Sequence, residues 1–247
     1  MVSRRDFVGN LGATLGAMCL CSTDLWGQQN LTSLPAGIGV EPDFTGALPK
    51  LKSGGSLGDR PPLDSEEKVA KAIIVKSPVG PTPFDVAKFF LAVGKGEYGK
   101  LWQPYAQGWP LRWNPVIVNF FQATRSEPRG DLTPWCAAFL NWCFVHAGKG
   151  FATRDASSGS FRTFGVETSS PSPGDIVVFR HTTPVAANDM QGHVGFFVKM
   201  IGTEVVVLGG NQIEGHEKCH MVSVKALEKN GSKLTLHSFR TDTRLHM

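Results

Sequence analysis

Hydrophobic positions recur with a helical period in the middle of this chain and with a strand period towards its end. Phe84, Ala87, Lys88 and Leu91 sit at helical spacing with Phe90 beside them, which predicts a helix from Pro83 to Gly94. Asn114 is placed to cap a second helix with Pro115 in its first position, and Val116, Phe120, Phe121 and Thr124 line one side of it. A third helix is expected from Thr133 as cap and Pro134 as first residue. In it Cys136, Phe139, Leu140, Cys143 and Ala147 form one buried stripe, and Gly148 supplies the stop. After the turn Pro171-Ser-Pro-Gly-Asp175 the period changes to two, with strands expected over 176–180, 193–201, 204–209, 221–227 and 234–240. Helices first and strands afterwards point to an α+β domain with an antiparallel sheet.

No sustained period precedes this domain, which is expected to span 83–247. Residues 28–82 are rich in Gly, Pro, Ser and Leu and read as a linker, with room for one short ordered piece over 69–75. Residues 1–27 read as a twin-arginine-type export signal, because Ser3-Arg4-Arg5-Asp6-Phe7-Val8 is followed by an uncharged run over 9–21. That run is too short for an ordinary membrane span, so a periplasmic or extracellular protein is expected. Lipidation at Cys19 or Cys21 is the minor alternative, since neither cysteine follows the small residue such a site needs.

The net charge of +4 is spread along the chain, which disfavours nucleic acid as a partner and would suit an anionic wall polymer. Five cysteines, two of them in the leader, do not make a disulfide framework. Cys136 and Cys143 lie two helical turns apart, roughly 10 Å at ~1.5 Å per residue, too far to bridge. Cys219 stays a candidate partner for Cys143. Trp102, Tyr105, Trp109 and Trp113 either stack on sugars or pack over the core, and packing is the favoured reading.

The candidate chemistry begins at Cys136. A cysteine in the first turn of a helix has unpaired amides and the positive end of the dipole beside it, which favour a thiolate nucleophile. It needs a base. Of seven histidines, His193 opens a strand between glycines, in Gly192-His193-Val194-Gly195. The next strand runs into Gly209-Gly-Asn211-Gln212, and antiparallel pairing brings the end of that strand near His193. Asn211 can then accept the imidazole N–H, completing a Cys-His-Asn arrangement. His216-Glu-Lys-Cys-His220 also fits the H-E-x-x-H pattern of zinc proteases, a reading that needs a helix and a further ligand. A wall-binding module without catalysis and an acyltransferase on the same fold are the remaining alternatives.

Four blocks in order, Thr-Pro-Trp-Cys-Ala-Ala-Phe-Leu-Asn-Trp-Cys, Pro-Ser-Pro-Gly-Asp-Ile-Val-Val-Phe-Arg, Gly-His-Val-Gly-Phe-Phe-Val and Val-Leu-Gly-Gly-Asn-Gln, resemble the CHAP family of cysteine, histidine-dependent amidohydrolases and peptidases. The likeness covers roughly 114–240. It implies a papain-like α+β fold and no cofactor or metal. It also implies cleavage of an amide in peptidoglycan, either between sugar and peptide or within the peptide. By that resemblance Cys136 is the nucleophile, His193 the base and Asn211 the residue that orients it. Two departures stand out. Gly209 or Gly210 occupies a position that is acidic in many members, and Asp131 and Thr133 stand where papain-type enzymes carry an oxyanion-binding glutamine.

Overall fold

The structure is a computed structural model that describes residues 60–183, 189–214 and 219–247. The export segment, Cys19, Cys21, most of the linker stretch and His216 lie outside the described residues.

Order begins earlier than the sequence period suggests. Helix α1, Asp64–Lys76, falls inside the stretch read as a linker and buries Ala70, Ile73 and Ile74. Arg112 forks onto Glu66 of this helix at 2.8 and 2.6 Å, fastening it to the loop before α3. Charged residues dominate α1, so only three buried positions carry its period.

Helix α2, Pro83–Gly94, has the expected bounds, and Thr82 and Asp85 cap it reciprocally. In α3, Pro115–Phe120, the Asn114 side-chain oxygen accepts the Val116 N–H at 2.9 Å, as a capping asparagine should. Helix α4, Cys136–His146, starts later than expected. The Thr133 hydroxyl accepts the Arg129 N–H at 2.8 Å instead of capping the helix, so Trp135 holds the cap position and Cys136 is the first helical residue. The expected single stripe gives way to a helix buried on nearly every side, with Val145 the one residue of α4 not fully covered. Phe139 and Trp142 of α4 meet Phe90 of α2 and Phe120 of α3 edge to face, with ring centroids 5.2–6.0 Å apart. Gly148, at φ 69°, ends the helix as expected.

Six antiparallel strands form one sheet in the order β1-β6-β2-β3-β4-β5. They are β1 Val166–Thr168, β2 Ile176–His181, β3 Gly192–Ile201, β4 Glu204–Glu214, β5 Cys219–Glu228 and β6 Leu234–Thr241. The chain is therefore α+β, with β1 the strand that its three largely exposed residues had hidden. Ile176, Val178, Val194, Phe196, Leu208 and Val222 face the helices. Val177, Phe179, Phe197, Val205 and Val207 form a smaller cluster on the other face.

Tyr105 and Trp113 are buried, and Trp102 and Trp109 pack partly buried against the core, which bears out the packing role expected of these aromatics. Cys143 and Cys219 are both free thiols and do not bridge. Among the described residues no helix is long and apolar enough to cross a membrane.

Candidate active site

Helix α4 presents Cys136 to the end of the sheet where β3 begins and β4 finishes. The thiol is buried, and burial pushes its pKa above the ordinary value. Three backbone N–H groups oppose that shift: those of Val194, Ala137 and Cys136 itself. Two come from the first turn of α4, whose amides have no partner within the helix. The third belongs to the residue after His193, which brings the β3 backbone against the sulfur. Helix polarity and burial thus pull in opposite directions, and burial prevails at rest.

His193 is the second residue of β3, paired with Phe179 and 8 % exposed. Burial pushes its pKa down to about 4, with the Lys225 ammonium adding to the fall and the side chain of Gln212 opposing it. The ring lies over Gly209: a Cβ built there would come 3.2 Å from His193 Nε2 and 3.5 Å from Gln212 Cδ. Gln212 therefore holds the place beside the imidazole that the sequence assigns to Asn211. Its amide nitrogen donates to the Ser223 carbonyl at 2.5 Å and the Gly209 carbonyl at 3.3 Å, so its oxygen is the atom left for the ring. The approach falls short of a hydrogen bond, because His193 Nε2 and Gln212 Oε1 are both buried without a partner. With an oxygen on that side, Nε2 is the nitrogen suited to carry the proton and Nδ1 the one suited to act as base.

A β-bulge explains the one-residue displacement. Gly209 pairs with Ser223 and Gln212 with Met221, so three steps on β4 match two on β5. Asn211, in the bulge at φ 59°, turns out of phase. Its side-chain oxygen takes the Nδ1 of His220 at 2.8 Å, not the ring of His193. The Gly209-Gly210 pair ahead of it is the signal in the sequence that pairing is irregular here.

Among the described residues no hydrogen bond joins Cys136 to His193. His193 pairs with Phe179, and alternation along β3 turns its side chain, with those of Phe179 and Phe197, to the sheet face away from α4. Asp131, five residues before Cys136, ties down the preceding segment: its Oδ2 accepts the N–H groups of Trp109 at 2.9 Å and Asn114 at 2.7 Å. Burial raises this carboxyl to about 6 against the pull of those N–H bonds.

The helix required by the zinc-protease pattern is not formed from Cys219 onward, where the chain is strand β5. Among the described residues no group of three or more His, Cys, Asp or Glu side chains converges.

Comparison with known families finds the CHAP domain over residues 128–211, a span that takes in Cys136, His193 and Asn211 and ends one residue short of Gln212. Nothing among curated proteins or solved structures matches the chain. Over residues 128–211 the chain is similar to the CHAP domain.

Proposed function

We propose that this chain hydrolyses an amide bond of peptidoglycan with Cys136 as nucleophile, His193 as general base and Gln212 as the residue that orients the imidazole. The observation that supports this reading is the CHAP match over residues 128–211 together with the start of β3 lying at the first turn of α4, where the Val194 backbone N–H lowers the Cys136 thiol pKa; proton transfer then requires the His193 ring to reach around the end of the sheet.

The reaction follows from the resting protonation states. His193 Nδ1 takes the thiol proton as the sulfur attacks the amide carbonyl, so no thiolate has to persist in a buried site. The backbone N–H groups of Cys136 and Ala137 supply fixed donors for the oxyanion that develops. Breaking the C–N bond expels the amine, which takes the proton from the imidazolium and leaves an acyl group on sulfur. Water then gives one proton to His193 and its hydroxyl to the acyl carbon. The carboxylic acid departs and the thiol is restored. Gln212 Oε1 closes onto Nε2–H as the imidazolium forms, which directs Nδ1 at the reaction.

The twin-arginine-like start fits a substrate outside the cytoplasm. Mass spectrometry of purified peptidoglycan after digestion tests the reading. Wild type is expected to release fragments that Cys136→Ala does not. A new sugar-peptide cleavage identifies an amidase and a new peptide terminus an endopeptidase. Digestion by Cys136→Ala equal to that of wild type removes the nucleophile from the mechanism.

A further inference from the structure

The bulge that carries Gln212 to His193 sends its neighbour Asn211 to a second imidazole. Asn211 is one of only two non-glycine residues with positive φ among the described residues, a conformation kept where the surroundings impose it. Its side-chain oxygen lies 2.8 Å from His220 Nδ1. An amide oxygen can only accept, so the neutral tautomer of His220 that fits this contact carries its proton on Nδ1 and shows a bare lone pair at Nε2.

The fold fixes where that lone pair stands. His220 is exposed, while Val222, two residues further along β5, is buried beneath the helices. Alternation along the strand therefore puts His220 on the sheet face that α4 covers. The His220 carbonyl accepts the Gly108 N–H at 2.8 Å, and the adjoining Trp109 N–H goes to Asp131, on the approach to Cys136. On the other side Gly210, between Gly209 and Asn211, is so close to Trp135 that a Cβ there would run into the indole ring. His220 is thus tied at its ring and at its backbone to both segments that flank the nucleophile. Opposite it, Ile213 offers an exposed apolar side chain.

We propose that His220, held by Asn211, is a substrate-binding residue whose Nε2 accepts an N–H of the peptide whose amide is cut. It rests on the hydrolase reading above. A peptide N–H is the complementary group, since Nε2 of this tautomer offers no proton and cannot receive a carbonyl. Two adjacent amides on one bulge then divide the work: Gln212 sets the base and Asn211 sets the binding imidazole.

The test uses the full chain with a soluble disaccharide-peptide released from peptidoglycan. His220→Ala and Asn211→Ala are each expected to raise KM about tenfold, equivalent to losing ~1.4 kcal/mol of binding, with kcat within about twofold of wild type. The double variant is expected to resemble either single one, because both remove the same contact. His220→Gln, which keeps an acceptor, is expected to recover most of the loss. Nitrogen-detected NMR of the His220 ring in Cys136→Ala is expected to show the proton on Nδ1, with the Nε2 resonance shifting when the fragment is added. An unchanged KM, the proton on Nε2, or a kcat collapse in His220→Ala to the level of Cys136→Ala each overturns the assignment. Wild-type turnover with an unmoved His220 resonance sinks this inference alone. Absence of wild-type turnover sinks the hydrolase reading, and this site with it.

Discussion

His193 Nε2 and Gln212 Oε1 are buried side by side over Gly209, and neither has a hydrogen-bond partner at rest. The Gln212 side chain lies near enough to the ring to oppose the fall in its pKa, and we propose that it orients the base during reaction. Gln212→Ala is expected to lower kcat by one to two orders of magnitude with little change in KM, since lost alignment acts in the transition state. The same variant frees the Ser223 and Gly209 carbonyls and costs roughly 1–3 kcal/mol of stability. Steady-state kinetics beside thermal unfolding separate the two effects. A kcat equal to wild type would deny Gln212 the role.

Gly209 offers a more local perturbation. A Cβ there would sit 3.2 Å from His193 Nε2, close enough that the ring has to move. Its φ is not in the left-handed region, so the backbone tolerates alanine. Gly209→Ala is expected to retain the fold and lose at least tenfold in kcat. Gly210→Ala meets the Trp135 ring instead, and is expected to lose roughly 1–3 kcal/mol of stability through overpacking. Unfolding and turnover measured on both variants check the contrast.

The rate profile should reflect the neutral resting pair. His193 titrates near about 4, so the acid limb of kcat/KM is expected near that pH and not near 6.5. Burial raises the Cys136 thiol, so alkylation of the free protein by iodoacetamide is expected to rise only above the usual thiol value near ~8.5. Fast alkylation at pH 6 would mean a preformed thiolate-imidazolium pair and would contradict this account.

Stability should fall on the acid side. His193 and His146 are both lowered to about 4, so their neutral forms contribute fully above the unfolded value near ~6.5 and lose that contribution as pH falls through 4. Each is worth on the order of 3 kcal/mol at 1.36 kcal/mol per unit. Asp131, raised to about 6, acts in the opposite sense: its contribution is present below ~3.8 and lost as pH rises through 6. Two groups outweigh one, so Tm is expected to drop between pH 7 and 4.5. Asp131→Asn removes the opposing group and should steepen that drop.

Helix α1 supplies a test of where the folded unit begins. Removing residues 1–82 strips Ile73 and Ile74 from the core and leaves His146 without Ser77, whose hydroxyl lies 2.6 Å from its Nε2. Such a chain is expected to unfold at markedly lower denaturant than one beginning at residue 60. Ile73→Ala alone should cost roughly 2–4 kcal/mol.

What the sequence could and could not carry is instructive at single residues. Pro83, Gly94, Asn114 and Pro115 mark helix ends by local chemistry, and those ends fell where expected. The placement of Cys136 in the first turn of a helix and of His193 at the start of a strand was legible. Gln212 was not, because regular alternation in β4 selects Asn211, and only the extra bulge residue moves the phase by one. Thr133 failed as a cap for a similar reason: a nonlocal amide, that of Arg129, claims its hydroxyl. Each miss lies where tertiary geometry overrides a local rule, and both lie within the candidate site.

Trapping the acyl-enzyme tests the central claim most directly. Purified peptidoglycan fragments are mixed with the protein, quenched in acid within milliseconds, and the peptide that contains Cys136 is weighed. The account predicts a thioester adduct on Cys136 in wild type that accumulates in His193→Ala little or not at all and never in Cys136→Ala. Turnover that continues in Cys136→Ala, with no adduct on the wild-type thiol, would contradict it.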